Sequence, residues 1–187
     1  ATAILVGDGL QALAFQVLAG DHRLGAKQRL KMIEILSVAA GSRGMVGGQA
    51  VDLQSENQRL TLAELEALHI HKTGALIRAC LRLACAAAPT LPDDQAEALD
   101  RYGKTIGLAF QIQDDVLDVE SNSATLGKTA GKDSASGKST YPAILGLSAA
   151  RERADDLFAQ ARSALKPFGR KAQPLLAFAD SIRQRDR

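Results

Sequence analysis

The residues best suited to chemistry form one run, Phe110-Gln111-Ile112-Gln113-Asp114-Asp115-Val116-Leu117-Asp118. On a helix, Asp114 and Asp118 stand one turn apart on a shared face, and Gln111 lies one turn before Asp114 on the same side. The carboxylates of Asp114, Asp115 and Asp118 repel one another, and they weaken a helix most near its negative C-terminal end. Something cationic should offset them. Hard oxygen ligands suit Mg²⁺, which keeps several waters and bridges one or two carboxylates to substrate phosphates. The simpler alternative is a solvated acidic patch. Against it, Ile106, Leu108, Ala109, Phe110, Ile112, Val116 and Leu117 make the surrounding sequence apolar, and acids in core-like surroundings are rare unless paired or ligating. Asp93-Asp94-Gln95-Ala96-Glu97 has a similar acidic spacing but follows Pro92, where acids are good first-turn residues, so it reads as structural.

Downstream, Lys128, Lys132 and Lys138 lie in a Gly- and Ser-rich stretch, 120–139, that has no periodicity and reads as one long loop. Lysines there are suited to closing over phosphates; a solvated lysine loop is the alternative. Gly137-Lys138-Ser139-Thr140 is not a nucleotide P-loop, because position 132 would have to be Gly and is Lys, and no strand precedes it. Upstream, His69 and His71 point to different sides of a helix and cannot share a metal, so both read as structural or surface residues. Lys72-Thr73-Gly74 places a charge, a β-branched hydroxyl and a Gly inside a helix, against local propensity. Such conflicts mark sites of function. Thr73 can bond the backbone and bend the helix, and Lys72 can reach a phosphate as a point charge.

The elements that must position these residues read as helices throughout. Hydrophobic residues make up 46% of the 187, aromatics only 4%, and Trp is absent; Ala and Leu dominate, which favours helices over strands. Helical periodicity predicts elements over 2–19, 26–40 and 43–54. In the last of these, Gly44 and Gly48 would let another helix approach closely. A Thr61/Glu64 capping box opens a long helix to Ala88, and another runs from Pro92 to about Val119. Shorter helices follow at 140–147, 149–165 and about 172–184. On one face of the helix predicted over 26–40 sit Leu30, Ile33 and Leu36. Cys80 and Cys85, about 140° apart on a helix, cannot pair and read as core filler in a reducing compartment. The net charge of +2 is interspersed, without the basic stripe of a nucleic-acid binder. No apolar run is expected to reach the length of about 18–20 residues that spans a bilayer, and no signal peptide is apparent.

Taken together these residues resemble the short-chain trans-prenyl diphosphate synthases, particularly the bacterial farnesyl diphosphate synthases. The matching stretches are GDGLQALAF at 7–15, GMVGGQAVDL at 44–53, LHIHKTGALI at 68–77, GLAFQIQDDVLDV at 107–119, and the Gly-Lys segments from 126 to 147. The resemblance runs along essentially the whole chain, in order. It implies an all-α helical bundle of the prenyl synthase type around a central cavity. It also implies Mg²⁺-dependent joining of isopentenyl diphosphate to an allylic diphosphate, dimethylallyl or geranyl, to give a product such as farnesyl diphosphate. By the match, Asp114, Asp115 and Asp118 resemble the second aspartate-rich metal motif, with Asp133 as its outer partner. Lys72, Lys128 and Lys138 resemble allylic-diphosphate ligands, and Thr73 and Gln111 the polar residues at the reacting end. A cytoplasmic homodimer is the family expectation.

The family's first aspartate-rich motif would lie just upstream of the first helix, together with its arginines and the basic site for isopentenyl diphosphate. The sequence starts at Ala1, without Met and inside an apolar pattern. Residues 1–187 are therefore expected to be the C-terminal portion of a single polyprenyl synthetase domain. Two alternatives come from other classes. One is a non-catalytic prenyl-synthase-like subunit lacking the first motif. The other is a class I terpene cyclase, which would not consume isopentenyl diphosphate and which the Gly-Lys steps and Lys72-Thr73-Gly74 fit poorly.

Overall fold

Helical apolar spacing, rather than any strand alternation, organises the chain. A computed structural model describes residues 1–125 and 139–185, and the described residues hold α1 (Thr2–Gly20), α2 (Ala26–Ala40), α3 (Met45–Gln54), α4 (Leu62–His69), α5 (Ala75–Ala87), α6 (Asp93–Thr125), α7 (Tyr141–Leu145), α8 (Leu147–Ala164) and α9 (Gln173–Arg183). The all-α expectation is met, with no strand among the described residues.

The core is built on α6. Ala98, Tyr102, Ile106, Ala109, Ile112 and Val116 recur every three or four residues and bury one face of that helix. Against it α8 lays Ala150, Ala154, Leu157, Phe158 and Ala161; the three alanines bring the two helices close. The Tyr102 hydroxyl donates to Leu175 O at 2.8 Å, which fixes α9 to the same layer. Burial, with Asp180 nearby, pushes that phenol up to about 12. On the opposite side α5 packs between α6 and α2, where Ile35, Ala39 and Ala79 form a smaller cluster. Asp100 takes both Nε and Nη2 of Arg78, at 2.6 and 2.8 Å, and ties α6 to α5.

The helix expected from Thr61 to Ala88 is not regular. The Thr61/Glu64 capping box is present, but a π-helical turn, Ile70–Gly74, separates α4 from α5. It falls on the Lys72-Thr73-Gly74 conflict, and π-turns inside helices recur at functional sites. Two glycines let neighbours reach this turn. A Cβ on Gly48 would sit 2.3 Å from Lys72 N, and one on Gly107 would sit 3.0 Å from Gly74 Cα. Gly48 thus serves the close approach expected of it, and a Cβ on Gly44 would lie 2.0 Å from Ala39 O in the last turn of α2.

Four sequence expectations are corrected. The stretch read as a loop from 120 begins as helix, since α6 continues to Thr125. Cys80 is exposed and Cys85 half-buried, so neither is core filler. Leu30 is 68% exposed and does not share the buried face of Leu36. α1 is long and apolar enough to cross a membrane by length and composition, contrary to the expectation of no such run. Its only charged residue is Asp8, and small Gly and Ala spacers do not interrupt the pattern. No residue of α1 is buried, and Ile4, Leu5, Leu10 and Val17 each stay more than half exposed.

Because Gly48 admits the backbone of the π-turn, Gly48→Ala should lower stability by about 1–3 kcal/mol through overpacking. A urea melt checks this by a lower midpoint at unchanged slope; an unchanged midpoint would show that α3 does not press on the turn.

Candidate diphosphate and metal site

The π-turn and the polar end of α6 meet at one place. Thr73 Oγ1 donates to Gln111 Oε1 at 2.5 Å, joining two residues 38 apart in sequence that were both singled out. Gln111 is buried, so its amide is held rather than solvated. Lys72, one residue earlier, donates from Nζ to Asp52 Oδ2 on α3 at 2.6 Å. The expected phosphate-reaching lysine is therefore presented by a carboxylate. No sequence signal pointed to Asp52, because its partner lies 20 residues away on another helix.

The three aspartates are treated differently by their surroundings. Asp115 is half-buried and accepts from the Tyr141 backbone N–H at 3.0 Å through Oδ2. The same oxygen lies 3.6 Å from His69 Nε2. His69 and Tyr141 stack with ring centroids 5.8 Å apart, and both are buried. Burial first, and the Glu66 carboxylate second, hold the Tyr141 phenol above its usual value. His69 is thus structural, as read, but it packs directly behind the acidic run. Asp114 pairs with Arg185. Asp118 is exposed, and its carboxyl is held above its usual value by partial desolvation and then by the like charges of Asp114 and Asp115, with Arg185 opposing. Asp93 and Asp94 sit in the first turn of α6, as expected of a structural pair.

Ser139 and Thr140, the first residues described after position 125, have structural duties. Ser139 Oγ accepts from Leu60 N–H at 2.9 Å and lies 3.2 Å from Gln58 O, while Thr140 Oγ1 caps α7 by accepting from Ala143 N–H. Ser139 therefore anchors the chain after position 138 to the segment between α3 and α4. Lys128, Lys132, Asp133 and Lys138 lie outside the described residues.

Residues 1–168 match the polyprenyl synthetase family. The chain belongs to that family. It is 48% identical to farnesyl diphosphate synthase of Escherichia coli, across all of this chain and 64% of that protein. It is 46% identical to the Haemophilus influenzae farnesyl diphosphate synthase, across 95% of this chain and 61% of that one. Among solved structures, a farnesyl/geranylfarnesyl diphosphate synthase of Zymomonas mobilis superposes with a TM-score of 0.81 at 38% identity, covering 96% of this chain and 60% of that one. A Helicobacter pylori geranyltransferase, complexed with magnesium and isoprenyl diphosphate, superposes with a TM-score of 0.76 at 34% identity, covering 97% and 59%. The chain thus spans about 60% of the length of the relatives it matches.

Within this polyprenyl synthetase chain, Asp114 and Asp118 offer only hard oxygen donors, one helical turn apart. That set fits a metal which takes one or two carboxylates and completes its shell with water and phosphate. It does not fit an all-protein cage: no group of three His, Cys, Asp or Glu able to hold a metal occurs among the described residues.

The two kinds of aspartate should separate in stability. Asp115→Ala leaves the Tyr141 amide without its acceptor and should cost about 1–3 kcal/mol. Asp118 behaves oppositely. Its folded carboxyl titrates above the unfolded one, so the folded chain holds a proton that the unfolded chain has lost, and stability falls as pH rises through that window. Asp118→Asn should remove that loss, with a gain at neutral pH screened to no more than about 0.5 kcal/mol. Urea melts at pH 7 check both, and equal destabilisation by the two variants would contradict the assignment.

Proposed function

We propose that the protein is a short-chain prenyl diphosphate synthase of the farnesyl type, joining isopentenyl diphosphate to an allylic diphosphate. The observation that carries this reading is the meeting of Thr73 and Gln111 beside the acidic face of α6, in a chain of this family. In the proposed reaction the allylic C–O bond breaks and diphosphate leaves with the electron pair. The alkene of isopentenyl diphosphate attacks the resulting allylic cation, a new C–C bond forms, and a proton is lost from the adjacent carbon. The product is a prenyl diphosphate longer by one isoprene unit.

Magnesium bound through Asp114 and Asp118 would supply positive charge to the leaving diphosphate. Asp115, engaged by the Tyr141 amide, completes the motif by holding its position, and Asp133 is assigned as its outer partner. Lys72, Lys128 and Lys138 are assigned to the allylic diphosphate, where fixed cations stabilise charge that develops as the bond breaks. Asp52 keeps the Lys72 ammonium in place. The oxygens of Thr73 and Gln111 are assigned to the reacting end, where neutral dipoles stabilise an allylic cation without capturing it. Residues 1–187 are, in this reading, part of a single polyprenyl synthetase domain that acts as a cytoplasmic homodimer.

The test is incubation of the complete polyprenyl synthetase domain, of which residues 1–187 are part in this reading, with Mg²⁺, labelled isopentenyl diphosphate and either dimethylallyl or geranyl diphosphate, followed by sizing of the products. Label should enter a longer prenyl diphosphate, and Asp114→Ala should reduce turnover by about two or more orders of magnitude. Diphosphate release without uptake of label would point instead to a cyclase, and near-normal turnover by Asp114→Ala would remove Asp114 from the mechanism.

A further inference from the structure

The cation facing Asp114 comes from the segment after α9. Arg185 donates from Nη2 to Asp114 Oδ1, and its guanidinium lies over the Phe110 ring, 4.9 Å from the centroid. Phe110 and Asp114 are one turn apart on α6, so a single guanidinium spans both. Both ends of the ion pair are partly exposed. Arg185 Nε is buried and makes no hydrogen bond among the described residues, so the guanidinium is only partly satisfied where it sits.

The helix that precedes Arg185 is held by other contacts. Arg162 pairs with Asp180 at 2.6 Å, Arg183 with Asp155 at 2.8 Å, and Leu175 O takes the Tyr102 hydroxyl. Arg185 can therefore leave Asp114 without moving α9. A half-exposed ion pair is weak enough to exchange, and a dication and a guanidinium cannot share one carboxylate oxygen without strong repulsion.

We infer that Arg185 is a built-in counter-ion for the aspartate run: its guanidinium occupies Asp114 in the metal-free chain, and a divalent metal gains Asp114 only as Arg185 departs. The inference rests on the metal site proposed above. It predicts a conformational exchange at residues 183–185 driven by metal alone, before any substrate arrives. It also predicts that the wild-type affinity for metal is reduced by the fraction of chains in which Arg185 holds Asp114.

The experiment is a Mn²⁺ titration of the whole chain at low ionic strength, with free Mn²⁺ read by electron paramagnetic resonance. Arg185→Gln should tighten binding by about two- to fivefold. Arg183→Gln removes the same charge from a residue paired elsewhere, and should leave binding unchanged. Asp114→Asn should abolish both the binding and the gain from Arg185→Gln. Hydrogen exchange adds an independent readout: Mn²⁺ should speed exchange of the amides at 183–185 in the wild type but not in Asp114→Asn. If Arg185→Gln and wild type bind equally while Asp114→Asn still abolishes binding, the counter-ion role is overturned and the metal site stands. If no Mn²⁺ binding depends on Asp114 in any variant, both fall.

Discussion

Repulsion among three carboxylates in little more than one helical turn is the constraint around which this end of the molecule is arranged. Asp114, Asp115 and Asp118 lie about two to three turns before the end of α6, and the helix holds them at fixed spacing. The fold relieves the charge in two ways. A backbone amide from α7 and the His69 ring face Asp115, and an arginine from beyond α9 faces Asp114. Partial desolvation first, and the like charges of Asp114 and Asp115 second, hold the Asp118 carboxyl above its usual value, with Arg185 opposing. The same helix carries the buried stripe from Ala98 to Val116, so the acids cannot move apart without disturbing the core. A rigid, under-neutralised acidic face of this kind favours a cation from outside the chain.

The π-turn is the second half of the arrangement. Five residues, Ile70–Gly74, fall out of the regular helix, and that shift accompanies two different presentations of adjacent side chains. Lys72 reaches Asp52 on α3, and Thr73 reaches Gln111 on α6. Close approach of α3 and α6 to this turn depends on Gly48 and Gly107. Packing and polar geometry therefore converge on a short segment between α4 and α5. A regular helix with the same sequence would lack the extra residue in the turn.

Much of this was legible in the sequence. The Asp114–Asp118 spacing and the Gln111 position follow from helix geometry alone, and the conflict of charge, branching and Gly at 72–74 marked the turn that became irregular. The resemblance to prenyl synthases agrees with the family match and the helical fold. What remained hidden was long-range. Asp52, Tyr141 and Arg185 touch the site from segments 20, 26 and 71 residues away from their partners, and no local pattern encodes such pairings. Periodicity also misjudged surfaces. Cys80, Leu30 and all of α1 have core-like composition yet stay open in this chain, because composition states what would gain from burial and not what covers it.

In the proposed mechanism the acidic face of α6 and the π-turn make one site for a metal-bound diphosphate. Anomalous diffraction from crystals grown with Mn²⁺ and an unreactive geranyl thiodiphosphate tests it most directly. An anomalous peak should appear about 2.1 Å from carboxylate oxygens of Asp114 or Asp118, with the diphosphate bridging that ion to Lys72 and the first prenyl carbon beside Thr73 and Gln111. A metal and diphosphate bound away from α6, or on the first-turn acids Asp93 and Asp94, would contradict it.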